Sequence, residues 1–334
     1  MKKLRVGVIG CGAVAQRGHL SGYASNPESK IVAVCDINKS RAIEVAKKFN
    51  AETWVTDYRE LLKRKDIQAV SICVPNFIHK EIAIASAEAG KHILIEKPMA
   101  TSVKECDAMI HAATKAGVKL MVGHVMRFAP GYSYARKFIE EGYLGNIFCL
   151  RSTLRHSGPY KYWGAMSKWF FDRRKSGGGV LTDLGPHMID ISRYLLKDEI
   201  ESVTGILGSF EKDGAERDAI VILKFKKPVF SEISVSWSTS PLIVKTEIFG
   251  SEGSIIIDNF GGQLSLCSKK DKLFKNNWIN VSIISESGFF VAFQREINHF
   301  IDCILHDKKP LVDGQDGKKT VEVIEKVYKF NKSD

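Results

Sequence analysis

A chain of 334 residues, 44% hydrophobic and 26% charged, has room for two globular domains and excludes a disordered or collagen-like polymer. Its net charge of +11 comes from lysines spread along the whole length, which reads as a solvated surface with no nucleic-acid partner. No apolar run approaches a membrane span, the N-terminus lacks a signal-peptide pattern, and the seven cysteines fall singly, so the expectation is a cytoplasmic protein with reduced thiols, no membrane contact and no metal.

The first apolar run, 4–9, is a strand candidate that leads into Gly10-Cys11-Gly12-Ala13-Val14-Ala15. A Gly-x-Gly-x-x-Ala loop lets a strand turn tightly into a helix. It also lets the backbone approach a pyrophosphate at the positive end of that helix. Further strands are expected at 31–35, 69–74, 92–95 and 119–122. Helical patterns lie between them near 13–25, 40–49, 57–64, 79–89 and 102–116. Ser40 is the expected N-cap of the second, with Gly90 and Gly117 as later stops. Alternation of this kind predicts an α/β, doubly wound parallel sheet, a Rossmann domain over 1–123. Asp36 closes the second strand run, where a carboxylate accepts hydrogen bonds from an adenosine ribose and repels a 2′-phosphate. NAD is the expected cofactor. Lys39 and Arg41 stand close enough to offset part of that repulsion and leave NADP open.

Ligands bind at the carboxyl ends of parallel strands. That places Val74, Pro75, Asn76 and His79 among the cofactor candidates, although a turn followed by a helix cap explains them equally. The next strand ends in Glu96-Lys97-Pro98, with Glu96 and Lys97 as further cofactor candidates and Lys97 also as a substrate contact. An ammonium at that point can stabilise oxyanion charge or pass a proton. A Glu96–Lys97 surface pair is the simpler alternative. Past the last Rossmann strand, His124 is a candidate for the substrate and Arg127 for the cofactor.

Residues 124–334 read as a second domain. A helix is expected at 131–141 and a strand at 146–154. An aromatic, glycine-rich and basic stretch follows over 157–179. Arg155, His156, Tyr160, Trp163 and Trp169 offer stacking and hydrogen bonds suited to a sugar. The run Arg151, Arg155, His156, Lys161, Lys168, Arg173, Arg174, Lys175 could hold a phosphate or form a solvated rim. A helix is expected at 180–196. Within it Asp183 and His187 share a face four residues apart, as an oriented general base or as a plain hydrogen-bonded pair. Strands are expected at 202–211, 218–226, 230–239, 242–249, 253–258, 263–267 and 278–284. The alternation over 230–237 implies one apolar and one polar face. Short turns between these strands imply a mostly antiparallel sheet. Helices at 290–306 and 316–331 close the chain.

Together these features resemble the Gfo/Idh/MocA oxidoreductases, the family of glucose–fructose oxidoreductase and inositol dehydrogenase. The resemblance rests on Gly10 to Ala15 with Asp36, on Ala89 to Pro98, on Gly177 through Asp183-Leu-Gly-Pro-His187-Met-Ile-Asp190, and on Pro310 to Gly314. It implies a Rossmann domain followed by an α/β domain with a large open, mostly antiparallel sheet that serves as a homodimer or homotetramer interface. It implies Lys97 at the nicotinamide and substrate hydroxyl, a cis Lys97–Pro98 bond, and Asp183 and His187 on the substrate with the histidine as acid/base. The implied reaction is NAD-dependent oxidation of a ring hydroxyl of a sugar, cyclic polyol or nucleotide sugar. The alternative is a hydrolase or lyase that retains NAD and oxidises only transiently.

Overall fold

The computed structural model describes residues 3–164, 168–270, 272, 275, 277–281 and 288–331, without the side chains of Trp163 and Lys168. The chain divides into two compact units.

The first unit comprises Met1–His124, Lys175–Gly177 and Phe293–Glu322. Its sheet contains β1 (Leu4–Ile9), β2 (Ser29–Cys35), β3 (Thr53–Val55), β4 (Ala69–Ile72), β5 (His92–Glu96) and β6 (Leu120–Gly123). The order is β3-β2-β1-β4-β5-β6 and all pairs are parallel. Val6, Val8, Val34, Val70, Ile72 and Leu94 are fully buried, as strands covered on both faces require. The order reverses between β1 and β4, the switch point at which such sheets bind ligands. Helix Lys39–Lys48 is capped by Asn38, whose side chain accepts from Arg41 N at 3.1 Å. Ser40, expected in that role, lies inside the helix. Gly117 ends helix Val103–Ala116 in the left-handed region at φ 66°.

The first unit is not the contiguous block 1–123, because later segments return to it. A Cβ on Gly18 or Gly22 would strike Phe293 or Ile297, so these glycines let helix Gly288–Leu305 lie close. Val122 N donates to Val312 O at 3.1 Å, fixing the Pro310–Gly314 segment at the edge strand β6.

The second unit comprises Val125–Arg174, Gly178–Ala292 and Val323–Asp334. Its strands are β7 (Ile147–Arg155), β8 (Ile200–Phe210), β9 (Glu216–Phe225), β10 (Phe230–Ser236), β11 (Ile243–Gly250), β12 (Gly253–Asp258), β13 (Gln263–Ser268) and β14 (Ile279–Val281). The order is β14-β13-β12-β11-β7-β10-β9-β8, with β7 and β10 parallel and the other pairs antiparallel. The expected strand over 278–284 is described as far as Val281. One face presents Leu150, Leu154, Val221, Leu223, Ile233 and Val235, all buried. Helix Gly185–Leu196 packs on it, with Ser192 Oγ 2.9 Å from Ser231 Oγ. The opposite face carries Ile206, Ile220, Phe230 and Ile243, all exposed. Among the described residues no helix is long and apolar enough to cross a membrane.

Candidate active site

The turn after β1 is built around Gly10. Its φ is 91°, and a Cβ there would lie 2.4 Å from Cys73 O. A Cβ on Gly12 would meet nothing within 4 Å, so this part of the loop has space above its backbone. Cys11 N donates to Asp36 Oδ2 at 3.0 Å and Asn38 N donates to Asp36 Oδ1 at 2.8 Å. Cys11 thus acts through its backbone, and burial pushes its thiol up to about 12. Arg41 Nη1 stands 3.4 Å from Asp36 Oδ2, a cation beside the carboxylate expected to meet the ribose. Ile37 is 94% exposed directly after that acid. Nothing in the sequence marked this apolar surface, because a single isoleucine carries no pattern.

Asn76 is buried and its Nδ2 donates to Ser176 O at 2.7 Å. Its Oδ1 has no hydrogen-bond partner among the described residues. A buried acceptor without a donor is costly and suits a ligand amide. The open space over Gly12, the fixed Asp36 carboxylate and this acceptor fit a nicotinamide dinucleotide. Gly10 to Ala15, Asp36 and Asn76 would hold it, with Val74 and Pro75 forming the turn before Asn76.

His79, a cofactor candidate, is held by backbone carbonyls. It is 1% exposed, with Nε2 2.9 Å from Val74 O and Nδ1 3.1 and 3.2 Å from Pro98 O and Met99 O. The ring ties the Val74–Pro75 turn to the Lys97–Pro98 turn. Burial lowers its pKa despite the three carbonyls. The Lys97–Pro98 bond is cis and Lys97 is half-buried.

Glu96 is no surface partner for Lys97. Its Oε1 lies 2.9 Å from His19 Nε2, and Lys97 N donates to Oε2 at 3.2 Å. His19 Nδ1 lies 3.0 Å from Ser71 Oγ, which is 2.8 Å from Tyr23 OH. Burial by itself would raise the Glu96 pKa. The His19 hydrogen bond and the charges of His19 and Lys97 outweigh it, and the carboxyl sits below its ordinary range. The lysine therefore rests on a rigid buried network. His124 is also buried, at the end of β6.

In the second unit the expected helix over 180–196 is two helices, Val180–Asp183 and Gly185–Leu196, joined at Leu184. Pro186 suits the first turn of the second helix, where no N–H donor is needed. Asp183 ends the first and His187 lies in the first turn of the second. Asp183 Oδ2 accepts from Trp237 Nε1 at 3.1 Å. Arg127, a cofactor candidate, grips Asp190. Its Nε and Nη2 donate to the two carboxylate oxygens at 2.8 and 2.6 Å, and both side chains are buried. A buried two-pronged pair of this kind anchors the helix that carries His187.

The aromatic stretch is partly scaffold. His156 is 1% exposed, accepts from Gly158 N at 3.0 Å and stacks under Tyr162 with ring centres 4.9 Å apart. Arg155 donates to Ser234 Oγ. Tyr160 meets Phe171 edge-on, and Phe171 meets Trp237 at 5.6 Å. An aromatic chain therefore leads to the indole that holds Asp183. Trp169 stacks on Phe170 at 3.9 Å. The Trp163 side chain lies outside the described residues.

Residues 4–124 match the model of an oxidoreductase family with an NAD-binding Rossmann fold, and residues 132–256 match the GFO/IDH/MocA C-terminal domain. The chain is 31% identical over 329 residues to scyllo-inositol 2-dehydrogenase (NAD(+)) of Bacillus subtilis, covering 96% of this chain and 92% of that one. The chain belongs to the Gfo/Idh/MocA oxidoreductase family. It is 27% identical to myo-inositol 2-dehydrogenase of Thermotoga maritima, over 94% of this chain and 92% of the relative. It also superposes on levoglucosan dehydrogenase in complex with NADH and levoglucosan with a TM-score of 0.90, at 25% identity and covering 99% of this chain and 98% of that one. As a Gfo/Idh/MocA member it is an oxidoreductase that uses NAD, with the expected parallel sheet and second, mostly antiparallel sheet.

Proposed function

We propose that this Gfo/Idh/MocA enzyme oxidises a ring hydroxyl of a sugar or cyclic polyol, with Lys97, Asp183 and His187 as its chemical groups. The observation that carries the reading is the fixed Asp183 carboxylate at the joint before His187, together with Lys97 on its buried Glu96–His19 support. His187 takes the alcohol proton as general base. Asp183 orients the imidazole and favours its charged form once the proton has moved. Lys97 stabilises the negative charge that grows on the substrate oxygen as its proton leaves. Bound NAD supplies the acceptor for the hydride. The inositol and levoglucosan substrates in the relatives' names support a ring polyol or sugar.

Purified protein incubated with a panel of inositols, sugars and nucleotide sugars tests this. NADH accumulates with at least one ring polyol or sugar, and NAD is used in preference to NADP because Asp36 repels a 2′-phosphate. Product without net NADH would instead favour the NAD-retaining hydrolase or lyase. A clear NADP preference would mean that Arg41 outweighs Asp36.

The open face of the second sheet supports a homodimer or homotetramer. Ile206, 73% exposed, pairs with the exposed Ile220, and Phe230 and Ile243 are exposed elsewhere on the same face, more apolar surface than a solvated sheet face needs. Arg151 pairs with Glu232 at 3.2 Å on the same face. Sedimentation is expected to give twice or four times the chain mass, and a monomer at working concentration would contradict this.

A further inference from the structure

Glu216 opens β9 and is fully buried. Gly179 N lies 3.0 Å from both of its carboxylate oxygens, Leu181 N donates to Oε1 at 3.0 Å, and Tyr328 OH donates to Oε1 at 2.6 Å. The Tyr328 hydroxyl also lies 3.1 Å from Gly179 N and 3.0 Å from Thr182 Oγ1. The acid thus takes the N–H groups at the start of Val180–Asp183, which have no acceptor within that helix. One hydrogen bond further on, Asp183 N donates to Gly179 O at 3.1 Å. A single residue, Gly179, therefore separates the Glu216 carboxylate from the Asp183 backbone.

The neighbouring residue works on the other end of the same aspartate. Trp237 N donates to Arg217 O at 2.8 Å, and the Trp237 indole donates to Asp183 Oδ2 at 3.1 Å. Glycines make the approach possible. A Cβ on Gly178 would lie 1.9 Å from the Tyr328 hydroxyl oxygen, and one on Gly179 would lie 2.1 Å from Glu216 O. Burial raises the Glu216 pKa, and Tyr328 and the backbone donors offset this only in part.

The geometry points to Glu216 as a positioning residue for Asp183, setting its backbone through Gly179 while Trp237 sets its carboxylate. The inference rests on the role of Asp183 proposed above. It gives Gly178 and Gly179 a purpose, since they admit the tyrosine and the acid that place the turn carrying Asp183. Glu216 touches no reacting atom in this account.

Glu216→Gln, made in the parent and in Asp183→Asn, tests it. If Glu216 acts through Asp183, the change lowers kcat about tenfold or more in the parent with KM shifted less than about threefold, and by less than about twofold in Asp183→Asn, because residues that share one path do not add. Equal losses in both backgrounds, or no loss in the parent, would overturn the proposal. Tyr328→Phe, a smaller change in the same network, repeats the comparison if Glu216→Gln does not fold. The Trp237 indole N–H resonance, assigned by its disappearance in Trp237→Phe, gives a readout free of turnover. It moves in Glu216→Gln or Tyr328→Phe. A resonance that stays in place overturns the proposal. A parent that oxidises no polyol or sugar counts against the dehydrogenase reading, and the indole resonance then decides this one.

Discussion

Replacing Lys97 by alanine is expected to lower kcat by roughly a hundredfold or more, the scale of losing proton-transfer or oxyanion help in an enzyme site. NAD affinity should change little. Lys97 lies beyond the dinucleotide loop, and the candidate cofactor contacts, Asp36, the turn at Gly10 and Asn76, stand without it. Glu96 keeps its His19 contact, and the backbone N–H of residue 97 still reaches Glu96, so the turn is supported in the variant. Steady-state kinetics give kcat, and quenching of protein fluorescence by NADH gives the binding constant. A variant that loses NADH binding but turns over normally once saturated would give Lys97 a cofactor role instead.

His187→Ala is the second large effect. With the neutral imidazole of His187 as the proposed base, kcat/KM is expected to rise with pH as the ring loses its proton, which an ordinary histidine does near pH 6.5, about the middle of the accessible range. Asp183→Asn keeps the shape and removes the charge, so turnover slows while an acid limb remains. His187→Ala removes the limb and costs roughly a hundredfold or more in kcat/KM. The profile from pH 5 to 9, on the order of two units either side of neutrality, reads both changes. An acid limb that survives unchanged in His187→Ala would place the titrating base elsewhere.

Much of the fold was legible because its signals are local. Gly10 and Gly12 before a helix, Asp36 after β2 and the Val/Ile runs each carry a strand–turn–helix meaning by themselves. Thr53–Val55 escaped because three residues at a sheet edge, with Trp54 partly exposed, show no period. The joint at Leu184 escaped because the apolar spacing continues across it. Partners are non-local and were not legible. The sequence does not show that His79 bonds three backbone carbonyls or that Arg127 pairs with Asp190. Glu216 gave no signal as one acid in a strand, and its meaning depends on Gly179 and Tyr328 far away in sequence. The return of Phe293–Glu322 to the first unit depends likewise on Gly18 and Gly22 giving space to a helix over 270 residues later.

Transfer of a label tests the central claim most directly. The ring polyol or sugar that turns over best is prepared with deuterium on its hydroxyl-bearing carbons and incubated with the enzyme and NAD. Direct oxidation predicts one deuterium on the nicotinamide of NADH for each ketone formed, with a primary isotope effect on the chemical step. Product that keeps or loses its deuterium while NAD remains unreduced would contradict oxidation as the net reaction.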